Sequence, residues 1–123
     1  MLIKVIGLLK RRQGLTPEQF RDYYESRHRL IGEKFLRGHA CKYLRRYLEP
    51  QDSSHRPALD AEAARPFDVI LEIWYPDDAA YVAARNVLSL PEVIKEIVAD
   101  EEQLFDRSAN RFFTVNEVES TLS

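Results

Sequence analysis

A single cysteine, Cys41, stands among 123 residues. One thiol excludes an intrachain disulfide framework and fits a reducing compartment, so a cytoplasmic protein is expected. Basic charge is also short: 18 Lys and Arg face 20 Asp and Glu, a formal net charge of −2. With no basic excess to neutralise a phosphate backbone, nucleic acid is not an expected partner. No apolar run approaches the roughly 20 residues that cross a bilayer, so no membrane partner is expected. Met1 to Lys10 is apolar, but it lacks a charged start and a small-residue cleavage site, so it is not expected to be a signal peptide. The glycine-rich phosphate loops, C-x-x-C and H-E-x-x-H are all absent, which removes the chemistries those spacings serve. Zinc bound by cysteines is excluded and the three histidines are far apart in sequence, so neither a metal nor a cofactor is expected. What remains is an ordinary globular balance, 45% apolar and 31% charged, which suits one domain over residues 1–123.

Residues 2–10 read as a first strand with apolar residues on both faces, the signature of a central strand with something packed on each side. Thr16, Pro17 and Gln19 form a capping box with proline at the first helical position, and Leu15 and Phe20 occupy the staple positions. A helix is therefore expected from Pro17, with Phe20, Tyr24, Ile31 and Phe35 on one face and His28 at the edge of that stripe. Gly38 is a stop signal, and Gly32 is an earlier alternative. His39 to Glu49 reads as a second strand. It is charged on both faces, as an edge strand would be. Pro50 to Pro66 reads as a long polar loop of the kind that serves as a lid. Phe67 to Tyr75 is a third strand, apolar at Phe67, Val69, Leu71, Ile73 and Tyr75. Asp68, Ile70, Glu72 and Trp74 lie on its other side. Asp77 or Asp78 caps a helix from Ala79 to Leu88, which restarts at Pro91 with Val93, Ile94, Ile97, Val98, Leu104 and Phe105 in helical register. Arg111 to Glu119 reads as a fourth strand.

The order β-α-β-β-α-β specifies an α+β, ferredoxin-like fold, with a four-stranded antiparallel sheet and helices on one face only. Strands one and three still present apolar side chains on the other face. The simplest cover is the same sheet from a second copy, so a homodimer is expected.

His28 is the most informative candidate for chemistry, because an imidazole with a reference pKa near 6.5 works as acid or base close to neutrality. The alternative is a half-buried histidine bonded to backbone. Glu72, between Ile70 and Trp74 on a strand face, either lines a polar pocket or pairs with Arg45, Arg46 or His28. Trp74 suits a ligand wall or the core. Tyr23, Tyr24, Tyr43 and Tyr47 offer phenols, of which one or two are expected in a pocket. His39 and His55 are expected to face solvent, and Cys41 to be a buried strand residue without a neighbouring base.

Several segments together resemble the EthD-like family, named for ethyl tert-butyl ether degradation, of the dimeric α+β barrel superfamily. They are Ile3 to Arg12, Gly14-Leu15-Thr16-Pro17-Glu18-Gln19-Phe20, and Tyr23-Tyr24-Glu25-Ser26-Arg27-His28, which is similar to the family's F-x-x-Y-[YW]-x-x-x-H segment. Phe67 to Tyr75 and Phe105-Asp106 complete the likeness. Where relatives commonly place proline two residues after the histidine, this chain has Leu30, so the helix is expected to run on past His28. The resemblance implies a dimer whose two sheets form a barrel, with a pocket in each subunit between sheet and helices, and it favours His28 as a functional residue. Some fungal relatives are decarboxylases or dehydratases of aromatic polyketides, and superfamily neighbours include cofactor-free oxygenases and haem degraders.

The expected function is cofactor-independent acid/base chemistry, such as elimination, isomerisation or decarboxylation, on an aromatic or conjugated small molecule. His28 and Glu72 would be catalytic, and Tyr24, Tyr43, Trp74 and Phe105 would bind substrate. The alternatives are a non-catalytic binding module and a cofactor-free oxygenase.

Overall fold

The structure is a computed structural model describing residues 1–49 and 66–123. The expected loop from Pro50, with His55, therefore lies outside the described residues except for Pro66. The elements are β1 (Ile3–Leu9), α1 (Pro17–Tyr23), a π-helical turn (Tyr24–His28), α2 (Arg29–Leu36), β2 (Lys42–Tyr47), β3 (Val69–Tyr75), α3 (Asp78–Leu88), α4 (Pro91–Leu104), a 3₁₀ turn (Arg107–Ala109) and β4 (Arg111–Thr114). The sheet is antiparallel throughout, in the order β2-β3-β1-β4. The doubly apolar strands β1 and β3 are thus central, and the strand charged on both faces, β2, is an edge. The expected second and fourth strands are longer than those observed. The fourth ends at Thr114, opposite Val5 of β1.

Local signals set the helix starts. The Thr16 hydroxyl accepts from the Gln19 backbone and the Gln19 side chain accepts from the Thr16 backbone, satisfying two donors that a helix start leaves open. Asp77 accepts from the Ala80 N–H and opens α3. The first long helix ends at Leu36, two residues before Gly38, whose φ of +87° only glycine adopts cheaply.

Register divides the sheet into two faces. Val5 opposes Ile73 and Thr114, and Leu9 opposes Val69; this parity, continued by Tyr43 and Leu71, carries the helices. A core cluster of Leu9, Phe20, Tyr24, Val69, Leu71, Leu104 and Phe105 fills one end of that layer, and Leu36, Tyr75 and Ala84 centre a second. The opposite parity holds Ile6, Leu8, Ile70, Leu44 and Phe113 beside Lys4, Glu72, Trp74, Lys42 and Arg46. No described helix covers it. This face is mixed: apolar at the β1–β4 side and charged around Trp74.

Candidate functional site

Tyr24 and His28 are four apart, as are Phe20 and Tyr24. In a regular α-helix each such step drifts about 40° around the axis, which would carry His28 off the buried stripe. The π turn removes that drift. The Arg29 N–H donates to the Tyr24 carbonyl, five residues back, widening the helix so that Tyr24 and His28 both face the sheet. Insertions of this kind often occur at functional positions. The two rings meet edge to face at 5.1 Å, and His28 meets Phe105 in the same way at 5.3 Å. The helix continues past His28 through Leu30, as expected.

His28 is buried, with 8% of its surface exposed. Its Nδ1 lies 2.8 Å from Asp100 Oδ2, and the second oxygen of Asp100 accepts from the Tyr23 hydroxyl at 2.7 Å. The partner is thus a carboxylate on α4, not backbone. A carboxylate at Nδ1 favours the tautomer with the proton on Nδ1, leaving the Nε2 lone pair free to take a proton. Nε2 has no hydrogen bond within the described chain. Among the described residues no sealed side-chain nitrogen or oxygen lacks a partner, so Nε2 is accessible.

His28 lines a cavity of about 270 Å³ between the helices and the sheet, at the junction of the two core clusters. Leu9, Leu71 and Ile73 from the sheet and Ile31, Phe35 and Ile97 from the helices make it largely apolar. Tyr24 and Tyr43 also line it, their hydroxyls 3.1 Å apart. Gly32 makes room for that pair: a Cβ there would stand 2.7 Å from the Tyr43 hydroxyl. Burial, then the neighbouring Tyr43, pushes the Tyr24 phenol well above its ordinary value of 10.0, and burial raises Tyr43 as well. Both therefore face a ligand as neutral hydroxyls.

Glu101 is the carboxyl group on the wall. Burial raises its carboxyl above the ordinary 4.5, against the pull of His28 and Arg107. Asp100 and Glu101 were not among the sequence-based candidates. The signal was present: in the apolar repeat of α4 they fall between Ile97 and Leu104, three and four residues on from Ile97, where an inward-facing residue is due.

The other candidates lie elsewhere. Glu72 is on the opposite face of the sheet from His28, in register with Ile6 and Leu44. The expectation that it orients the imidazole or carries a second proton is therefore corrected; Asp100 occupies the orienting position. Glu72 instead pairs with Arg46 and accepts from the Trp74 indole at 2.7 Å. Trp74, expected as a pocket wall, shares that open face, with Lys4 and Lys42 over its ring at 3.8 and 4.2 Å. Phe105 packs under His28 in the core. Arg45, named as a possible partner of Glu72, makes a two-pronged pair with Glu25 at 2.9 and 2.8 Å, joined by the Tyr47 hydroxyl at 2.5 Å. Cys41 is exposed, not buried, because β2 starts only at Lys42. Among the described residues no three His, Cys, Asp or Glu side chains group as metal ligands.

With this geometry the comparisons agree. The chain belongs to the EthD family, whose domain model matches residues 12–108. No curated protein matches it. The fold is similar to that of an EthD family protein from Bacillus halodurans C-125, at 14% identity over 96% of this chain and 100% of that one, TM-score 0.63. It is also similar to a dimeric ferredoxin-like protein from Thermobifida fusca YX, at 11% identity over 94% and 90%, TM-score 0.58. A third likeness is to SnoaB, a cofactor-independent oxygenase from Streptomyces nogalater, at 11% identity over 97% and 95%, TM-score 0.56. At these identities the likeness establishes an α+β ferredoxin-like fold.

Proposed function

We propose that this protein is a cytoplasmic homodimer that binds a small aromatic or conjugated molecule between helices and sheet, and moves a proton on it without a cofactor. The observation that carries the reading is the His28–Asp100 pair, held at 2.8 Å on the wall of an apolar cavity. Asp100 fixes the ring and stabilises the imidazolium that forms when Nε2 takes a proton. The largely apolar walls lower the local dielectric and strengthen each electrostatic contact beside them. The Tyr24 and Tyr43 hydroxyls bond to each other at 3.1 Å, and the pair completes the wall against which a ligand packs. The chemistry this serves is removal of a proton next to a conjugated carbonyl or phenol, as in elimination or isomerisation, or delivery of a proton to the carbon that loses CO2 in a decarboxylation. The dimer is supported by the uncovered apolar strip of Ile6, Leu8, Ile70 and Phe113, the last 51% exposed, and by the dimeric neighbour.

The likeness to a cofactor-independent oxygenase makes oxygen consumption the discriminating measurement. A panel of hydroxylated aromatic ketones is incubated with wild type and His28→Gln while product and dissolved oxygen are followed. Turnover without oxygen uptake, lost in the folded variant, is expected. Oxygen consumed in step with product would establish the oxygenase instead, and near-normal turnover by His28→Gln would remove His28 from the reaction.

A further inference from the structure

Glu101 is placed where a carboxylate is unwelcome. Its side chain lines the same cavity as His28, among Leu9, Ile97 and Phe112. It sits in the last turn of α4, where the negative end of the helix dipole disfavours a further negative charge, and Asp100 is adjacent. The groups that oppose this are His28 from the π turn and Arg107 from the 3₁₀ turn. Arg107 Nε is 3.3 Å away, and that side chain is 45% exposed while Glu101 is 18% exposed, so water weakens the pair. Burial and the helix end favour the protonated carboxyl more than water does, while Arg107 and His28 pull toward the charged form. Protonated, it has an O–H to offer a ligand in the cavity that it lines.

Resting on the small-molecule reading of the cavity, we propose that Glu101 is its second functional group: a hydrogen-bond donor that selects a ligand carrying a carbonyl or phenolic oxygen over the bare hydrocarbon ring. The raised carboxyl pKa agrees with this placement. Two groups then divide the ligand between them. His28 Nε2 accepts a proton, and Glu101 donates to the oxygen that conjugation makes electron-rich.

The test uses 1-tetralone and tetralin, two bicyclic probes of the same outline that differ in one carbonyl oxygen, with binding followed by titration calorimetry from mildly acid to neutral pH. The wild type is expected to prefer 1-tetralone by roughly ten-fold, the worth of one buried hydrogen bond. Glu101→Gln, which keeps a donor, should retain the preference, and Glu101→Leu should lose it. If Glu101→Leu does not fold, Glu101→Ala takes its place. Arg107→Ala separates this role from a structural one: a donor Glu101 keeps or sharpens its preference without Arg107, whereas a Glu101 that serves only to hold Arg107 loses it in both variants. An undiminished preference in Glu101→Leu, or a lost one in Arg107→Ala, overturns the inference while the cavity reading stands. Failure of the wild type to bind either probe contradicts both.

Discussion

Each face of the sheet holds an acidic side chain, an aromatic ring and a nitrogen-bearing side chain, yet the cavity that His28 lines is on the helix side. Under the helices, His28, Asp100, Glu101 and the Tyr24–Tyr43 pair meet around an apolar cavity. On the open face, Glu72, Trp74, Arg46, Lys4 and Lys42 form a cluster in which the carboxylate already has its partners and the ring has a cation over it. Both sets combine carboxylate, ring and nitrogen, but the nitrogen is an imidazole on one face and permanent cations on the other. What also differs is desolvation: a titratable group becomes reactive when its surroundings are apolar and its partner is chosen, and it is quenched when cations crowd it.

The sharpest way to break this comparison is to remove one group from each face. His28→Gln should lower the rate on any substrate by roughly 10² to 10⁴, the range for losing a general base. Glu72→Gln should leave turnover within about two-fold, since it changes an ion pair remote from the cavity. Steady-state kinetics on the two variants checks both, and a large loss in Glu72→Gln would collapse the distinction.

Next in size is the effect of a charge on the apolar strip of the open face. Val69 and Leu71 are 0% and 6% exposed beneath the helices, so Lys at either position should unfold the chain. Ile70, on the other parity, should instead dissociate the dimer when replaced by Lys, at a cost of about 3–5 kcal/mol for an unpaired buried charge. Sedimentation distinguishes the two: a folded monomer is expected for Ile70→Lys, and a folded dimer would show that this face is not the interface.

A smaller loss than that of His28→Gln is expected of Asp100→Asn. It keeps shape but weakens the hold on Nδ1 by about 1.5 kcal/mol, so kcat should fall roughly ten-fold with KM little changed.

Two carboxylates with opposite shifts give the smallest effect, on stability. Arg45 beside Glu25, against the cost of partial burial, holds that carboxyl below its ordinary 4.5. Its contribution is therefore present above the unfolded value and is lost as pH falls through the lower, folded one. Glu101 is shifted the other way, chiefly by burial. Its ionisation begins to cost stability as pH rises past the unfolded value, and the cost is complete above the raised, folded one. Denaturant unfolding from acid to neutral pH should therefore show a shallower acid-side loss in Glu25→Gln, and a relative gain toward neutrality in Glu101→Gln.

The fold was largely legible because its signals are local: a capping box at Thr16, a proline after Leu90, and alternation in β1 and β3 that placed them at the centre of the sheet. The site was legible in part. His28 and Tyr24 lie on a stripe that periodicity detects, and the family segment singles out the histidine. Glu72 misled because alternation says that neighbours on a strand face opposite ways, but not which way the helices lie. Asp100 and Glu101 were hidden by their type, since an acidic pair on a helix ordinarily reads as solvated surface. Their position in the apolar repeat was the better guide. The π turn left no trace in composition, only the spacing of four repeated from Phe20 to His28.

The most direct measurement is the protonation pattern of the His28 ring in the free protein, read from long-range proton–nitrogen correlations in solution NMR once the ring is neutral. Asp100 at Nδ1 requires the proton there and an unprotonated Nε2, and the preference should weaken in Asp100→Asn. A neutral ring with its proton on Nε2 would leave no lone pair for a ligand proton and would contradict the assignment of His28 as the base.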